Sequence, residues 1–300
     1  MICSKCGEPA IISQRYSGRH LCQSHFIEDF ESKVRETMRK YDMVKDGERI
    51  AVAVSGGKDS TALLLCLHKI LDGRDKELVA ITVDEGIAGY RDDTITSARA
   101  IAASLGIEQK IVSFRDLYGY NLDDMVQGKE VAPCTYCGVF RKKALNRMAK
   151  LLGAAKVATG HNLDDEAQSI MMNYLKGDIE RLMRFRPRKV QLGLVPRVKP
   201  LREIPEKEIA LYCMVNGVFT ESRECPYASL SLRADVRDMM NDLESLFPGT
   251  KQSILRGFEK IAKIDRGKCA KIDLASCEIC GEPCVNEICK ACELCKRLKG

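Results

Sequence analysis

No stretch of this 300-residue chain is apolar for long enough to supply the roughly 20 residues of a bilayer-spanning helix. The opening residues, MICSKCGEPA, hold no signal-peptide core either, so the expectation is a cytoplasmic protein that engages no membrane. Charge of one sign is also scarce. With 48 lysines and arginines against 42 aspartates and glutamates, the net charge is only +6, which permits an anionic partner such as RNA without demanding one. The Walker string GxxxxGK(S/T) is absent, as is any heptad pattern. Nor is there spare length for a glutaminase domain, which argues against an amidotransferase. At 45% apolar and 30% charged residues, the composition is that of one sizeable α/β core with smaller attachments.

What the chain has in plenty is cysteine, fifteen residues in all. In a reducing compartment so many thiols point to metal binding rather than disulfides. Cys3, Cys6, Cys22 and His25 form a C-x2-C-x15-C-x2-H pattern, the spacing of a closed tetrahedral zinc site. Toward the other end, CEICGEPCVNEICKACELC carries Cys277, Cys280, Cys284, Cys289, Cys292 and Cys295. Four thiolates satisfy one zinc. The pairs Cys277/Cys280 and Cys289/Cys292 flank a short loop and are the expected second set, although Cys292 and Cys295 also form a CxxC and a different four stays open. Closed sites leave no position for catalysis, so both modules are expected to serve structure or RNA docking.

Between them, RIAVAVSGGKDSTALLLCLHKIL places an apolar run, Ala51 to Val54, before two glycines and an amphipathic run after them. The order reads strand, loop, helix. Such a turn aims backbone N–H groups and the positive end of a helix at one point, and Gly56 and Gly57 let an anion approach closely. The string Ser55-Gly56-Gly57-Lys58-Asp59-Ser60 resembles the PP-loop of ATP pyrophosphatases, which cleave ATP between its α and β phosphates.

Further strands are expected in ELVAITVDEG, ending near Asp84, in IEQKIVSF and in AAKVATGHN, with helices in DTITSARAIAASLG and LDDEAQSIMMNYLKG. This alternation predicts a doubly wound, Rossmann-like parallel sheet with ligands at the carboxyl ends of its strands, where Ser55, Asp84 and Gly160 would lie. The cluster Gly160-His161-Asn162-Leu163-Asp164-Asp165-Glu166 offers carboxylates that could hold Mg²⁺ against ATP phosphates. The same residues read equally as a helix N-cap with acids in its first turn. Helices are also expected in IPEKEIALYCMVNGVF and LSLRADVRDMMNDLESLF.

Cys134 and Cys137 begin a helix rich in cations (Arg141, Lys142, Lys143, Arg147, Lys150), and Cys225 lies alone in RECPYASLSL. Thiolates are stabilised in such surroundings. A persulfide pair, a third zinc site and a three-cysteine iron–sulfur cluster all remain open. Cys66, Cys213 and Cys269 have no neighbour at ligand spacing and receive no role. The run IERLMRFRPRKVQ, with Arg181, Arg184, Arg186, Arg188 and Lys189, is suited to phosphate oxygens.

Taken together, the N-terminal C-x2-C…C-x2-H, SGGKDS, PCTYCG, GHNLDDEAQ, PRVKPLREIPEKEI, the lone ECPY cysteine and the C-terminal CxxC pairs resemble the TtuA/NcsA-type tRNA 2-thiouridine synthetases, from Cys3 to Cys295. The resemblance implies an enzyme, a tRNA sulfurtransferase that adenylates the C2 oxygen of a tRNA uridine with ATP and Mg²⁺ and then replaces it with sulfur. It implies a 4Fe-4S cluster on Cys134, Cys137 and Cys225 whose unique iron binds the incoming sulfide, two Zn²⁺, and ATP on Ser55, Gly56, Gly57, Lys58, Asp59 and Ser60 beside Asp84 and Gly160. Asp165 would be catalytic or metal-binding. Some relatives place a lysine where Arg141 stands here, which leaves Arg141 and Lys142 as competing candidates for the basic role. The sulfur donor would be sulfide or a ubiquitin-like thiocarboxylate carrier protein, and the assembly a homodimer. Expected domains are an N-terminal zinc finger at 1–28, a catalytic domain with a helical extension at 29–265, and a C-terminal zinc finger at 266–300. A TtcA-like 2-thiocytidine synthetase and a non-enzymatic zinc adapter for RNA are the competing readings. The terminal modules argue against the first and SGGKDS against the second.

Overall fold

Alternation along the first core strand decides which helices cover which face. The computed structural model describes residues 1–73, 77–127, 132–183, 193–219, 224–227, 232–264 and 274–299. The chain opens with an antiparallel hairpin, β1 (Ile12–Gln14) and β2 (Arg19–Leu21), and leaves it through α1 (Gln23–Lys40). Phe26, Phe30, Val34 and Met38 of α1 recur at helical spacing and are buried. In β3 (Arg49–Ala53), Ile50 and Val52 join the core shared by α1, α2 (Lys58–Leu71) and α3 (Arg91–Ser104), whereas Ala51 joins the opposite one. Period-2 alternation thus puts apolar groups on both faces of one strand.

β4 (Glu77–Asp84) and β5 (Gln109–Ser113) follow, then the short helices α4 (Phe114–Tyr118) and α5 (Leu122–Val126), and α6 (Pro133–Leu151). β6 (Lys156–Ala158) leads into α7 (Leu163–Leu175) and α8 (Ile179–Met183). A two-residue edge strand, β7 (Arg197–Val198), precedes α9 (Glu206–Val215). α10 (Leu232–Leu246) and α11 (Thr250–Ile264) pack on α7. The small β8 (Ala275–Ser276), β9 (Pro283–Cys284) and α12 (Lys290–Lys299) end the chain, with α12 against α6.

The five-stranded sheet has the order β5-β4-β3-β6-β7 and every pairing is parallel, as the alternation of strands and helices predicts. The order reverses between β3 and β6, so the loops after these two strands diverge and open a crevice at their carboxyl ends. That crevice holds the candidate site. On one face Phe30 stacks on Tyr212 with ring centroids 4.0 Å apart, burying two large aromatics that tie α1 to α9. On the other, Tyr136 and Phe140, both at most 1% exposed, pack with Phe114 and Tyr118 and seat the N-terminal half of α6. Among the described residues no helix is long and apolar enough to cross a membrane.

Candidate nucleotide and sulfur-transfer site

The loop after β3 is shaped by its glycines and by two serines. Gly56 adopts φ +88°, and a Cβ there would stand 1.8 Å from the Thr94 carbonyl oxygen, so only glycine fits. Gly57 caps α2 in extended geometry. Ser60 Oγ accepts from the Ser55 N–H at 3.0 Å, lies 3.1 Å from Ser55 Oγ, and donates to the Gly57 carbonyl at 3.0 Å. These bonds hold the loop against the first turn of a helix whose free N–H groups face an open cleft. Across the cleft Gly160 presses on the backbone of Asp59 and Ser60, where a Cβ would fall 2.9 Å from Ser60 N.

The second wall begins at β6. Asn162 caps α7 by accepting from the Asp165 N–H at 3.0 Å, and Asp165 Oδ2 accepts in return from the Asn162 N–H at 3.2 Å, a capping box. The amide of Asn162 also donates to Asp59 Oδ1 at 3.1 Å, which links the two walls. Burial raises both the Asp59 and the Asp165 carboxyl above the usual carboxylate range, and for Asp165 only Arg233, donating at 3.2 Å, and the Asn162 backbone resist it. The N-cap reading is met with Asp165 as the acid of the box: its Oδ2 serves the cap and its Oδ1 takes Arg233, while Asp59 gives Oδ1 to Asn162 and Oδ2 to Lys58 at 3.3 Å. Desolvation in the cleft, and then Lys199, push the His161 imidazole down to about 4 although its edge remains exposed.

The cleft encloses about 250 Å³ and is lined by Ser55, Asp59, Ser60, Gly160, His161 and Asp165 together with Glu85 and Arg141. Four expected members, Gly56, Gly57, Lys58 and Asp84, do not line it. Asp84, at the end of β4, spends its carboxylate on the Gly86 N–H at 2.8 Å, and its neighbour Glu85 faces the cleft instead. Lys58 donates to Glu206 at 2.6 Å and lines an adjacent crevice of about 500 Å³.

On the far rim stand the cysteines of α6. Cys137 Sγ accepts from Arg141 Nη2 at 2.8 Å; burial pushes its thiol up to about 11, with Arg141 pulling the other way. Cys134 is exposed and lies 4.0 Å from the Tyr227 carbonyl oxygen, while Tyr227 Oη donates to Asp123 at 2.7 Å and so pins the segment carrying Cys225 to α5. Burial raises the Cys225 thiol, and the charges of Cys134 and Arg141 reach it. Among the described residues, the ligand atoms of these three cysteines do not form a set within 4.8 Å of one another as the terminal sets do. Beside them Lys142 is exposed, and desolvation followed by the like charges of Arg197, Arg181 and Lys199 lowers its ammonium. Arg184, Arg186, Arg188 and Lys189 lie outside the described residues, as does Cys269.

At the termini, the ligand atoms of Cys3, Cys6, Cys22 and His25 fall within 4.8 Å of one another, and so do those of Cys277, Cys280, Cys289 and Cys292. The Cys277 thiol is held down to about 6, chiefly by the Cys289 backbone N–H, which donates to its Sγ at 3.2 Å. Cys284 is outside this set, its Sγ 2.8 Å from the Asn286 carbonyl oxygen, yet burial and then the charges of Cys277 and Cys289 raise its thiol.

Glu85, Arg91 and Arg233 are site residues that sequence reasoning passed over. Glu85 had a signal, being an acid just beyond a strand's carboxyl end. Arg91 and Arg233 sit on helices whose pattern says nothing of the cleft.

Comparison with known proteins agrees with this geometry. A family model described as a PP-loop domain matches residues 27–241, and one for the N-terminal LIM domain of 2-thiouridine synthetase TtuA matches residues 2–27. The chain is 38% identical to the tRNA 2-thiolation protein NcsA of Haloferax volcanii over 98% of each chain. It is 39% identical to the cytoplasmic tRNA 2-thiolation protein 1 of Drosophila melanogaster, over 98% of this chain and 87% of that one. Among solved structures it is similar to the U34-tRNA thiolase NcsA from Methanococcus maripaludis with its 4Fe-4S cluster. There the TM-score is 0.88 at 39% identity, covering 99% of this chain and 96% of that one.

Proposed function

We propose that this chain, which belongs to the PP-loop family of TtuA/NcsA-type tRNA 2-thiolation proteins, is a cytoplasmic tRNA-uridine 2-sulfurtransferase that uses ATP to exchange the C2 oxygen for sulfur. The observation that supports the reading is one cleft lined by Ser55, Asp59, Ser60 and Arg141, with Arg141 donating to Cys137 Sγ at 2.8 Å.

In this reading the N–H groups of Gly57 to Ser60 cradle the ATP phosphates, and Asp59 and Asp165 would hold Mg²⁺, which would supply neutralisation of phosphate charge. The uridine C2 oxygen attacks the α-phosphorus and the α–β bond breaks. Pyrophosphate leaves, and the loop amides meet the developing charge. Hydrosulfide then attacks C2 and the original oxygen departs on AMP, so the exchange has no net redox change. His161, neutral at pH 7, adds no charge beside the α-phosphate. Cys134, Cys137 and Cys225 would hold the 4Fe-4S cluster: their sulfurs are soft, partly accessible and spread over one rim, and Arg141 already presents an N–H to one of them. When bound, the cluster would supply a place where sulfur is kept for transfer. The basic group beside it would be Arg141, with Lys142 facing the tRNA. The terminal sets would each hold one structural Zn²⁺.

The test is metal and product analysis of strictly anaerobic protein. About four iron and about two zinc per chain are expected, with 2-thiouridine and AMP formed together from tRNA, ATP and sulfide. Cys134→Ala, Cys137→Ala and Cys225→Ala should lose iron and thiolation while keeping zinc. Full thiolation by any of the three would overturn the cluster assignment.

A further inference from the structure

Glu85 is 3% exposed and sits between the two halves of the site. Its Oε2 pairs with Arg91 Nε at 2.7 Å and its Oε1 with Arg141 Nε at 2.7 Å. Arg91, itself 4% exposed, donates through Nη1 to the Ser55 carbonyl at 3.1 Å and to Thr94 Oγ1 at 2.9 Å. Thr94 is the residue whose backbone packs on Gly56. Arg141 donates its Nη2 to Cys137 Sγ at 2.8 Å. A set of ion pairs and hydrogen bonds therefore runs from the nucleotide loop through Arg91, Glu85 and Arg141 to Cys137: Glu85 meets the two arginines as ion pairs, Arg91 Nε making no hydrogen bond, and the outer links are hydrogen bonds. The carboxylate cannot drift, because its own carbonyl accepts from the Leu122 N–H at 2.7 Å and the turn after it, Gly86 at φ +68°, packs directly on Asn121.

A buried carboxylate needs only one bidentate arginine to be satisfied. Here each oxygen takes a different guanidinium, and the two guanidiniums hold different parts of the site. One carboxylate for two cations also leaves a positive charge in excess, on the Arg141 side that is 49% exposed.

We propose that Glu85 is a positioning residue that fixes the spacing between the nucleotide loop and Cys137, and so keeps activation of the uridine in step with delivery of sulfur. The proposal rests on the function given above. Groups that orient a metal-site ligand from behind typically matter by about 10–100-fold, and hydrogen bonds to cluster sulfurs tune the cluster's potential.

The experiment compares wild-type protein with Glu85→Gln, Arg141→Gln and the double variant, each reconstituted with iron and sulfide. It reads AMP released per 2-thiouridine formed from a tRNA transcript with sulfide as donor, and the midpoint potential of the cluster. Glu85→Gln should keep its iron, release about tenfold more AMP per thiolated tRNA, and shift the potential upward because Arg141 loses its counter-charge. Arg141→Gln, at an accessible position, should also uncouple, and the double variant should be no worse than the poorer single one, as expected for one linked unit. Wild-type coupling with an unchanged potential in Glu85→Gln, or multiplying effects in the double variant, would overturn the proposal. If Glu85→Gln does not fold, tight coupling in Arg141→Gln overturns it alone. Wild-type protein that binds no iron or makes no 2-thiouridine would sink the underlying function instead.

Discussion

Gly56 and Gly57 look equivalent in the sequence, yet the structure demands glycine at only one of them. At Gly56 a methyl group would collide with the Thr94 carbonyl and the backbone is left-handed; at Gly57 an added Cβ would meet only Ser55 Oγ at 3.7 Å. Left-handed geometry alone costs an alanine about 1–2 kcal/mol, and the collision forces α3 away from the loop. Gly56→Ala is therefore expected to lower the melting temperature and abolish AMP formation, whereas Gly57→Ala should melt like wild type and show only weakened ATP affinity from crowding of the phosphates. Calorimetric melting with an ATP titration separates the two, and equal stability losses would contradict the packing argument. The same scale shows where sequence reading fell short. SGGKDS was legible because its chemistry is local, and so was the capping box of Asn162 and Asp165. The choice of Asp84 over Glu85 was not, because which of two adjacent acids faces the cleft depends on where β4 ends and on the Gly86 turn that follows.

Among elements, α6 is shared by the sulfur rim and the C-terminal module. Its first turn carries Cys134 and Cys137; farther along, Lys143 Nζ lies 3.6 Å from Cys292 Sγ and 3.9 Å from Cys289 Sγ, and Asn146 donates to Glu282 at 2.9 Å. With a metal bound, this cation would offset part of the negative charge of a four-thiolate site. Loss of metal from Cys277, Cys280, Cys289 and Cys292 should therefore loosen α6 as well as the module. Cys289→Ala is expected to raise amide exchange across residues 133–151 and to lower iron retention several-fold, while leaving α1 unchanged. Hydrogen exchange of the folded chain checks this, and unaltered protection in α6 would show that the module is only tethered to it. Hydrophobic periodicity made β3 to β6 and α2, α3, α6, α7, α9 and α10 legible, but the long helices α1 and α11 went unread although their apolar residues recur at helical spacing. β7, two residues at a sheet edge, is too short for any period to register and is defined only by its pairing with β6.

Over the whole molecule the net charge of +6 is too small to mark a nucleic-acid partner, and the relevant quantity is where cations are left close together. Lys142 stands among Arg197, Arg181 and Lys199, and Arg197 donates to the Lys142 carbonyl at 2.8 Å. Lys199 is matched by Glu166 at 2.5 Å, and among the described residues the excess charge rests on the other three. Like charges held together at the mouth of a cleft raise the free energy of the empty protein and lower it again when polyanionic backbone binds. Because each neutralised phosphate releases condensed counterions, affinity for tRNA should fall steeply and log-linearly with salt. Arg181→Ala, at an exposed position, should weaken binding to all tRNAs alike and reduce the salt slope by about one, with ATP affinity unchanged. Filter-binding titrations across a salt series measure both quantities. A variant with the wild-type slope would remove Arg181 from the tRNA face and shift the contact to cations elsewhere on the rim.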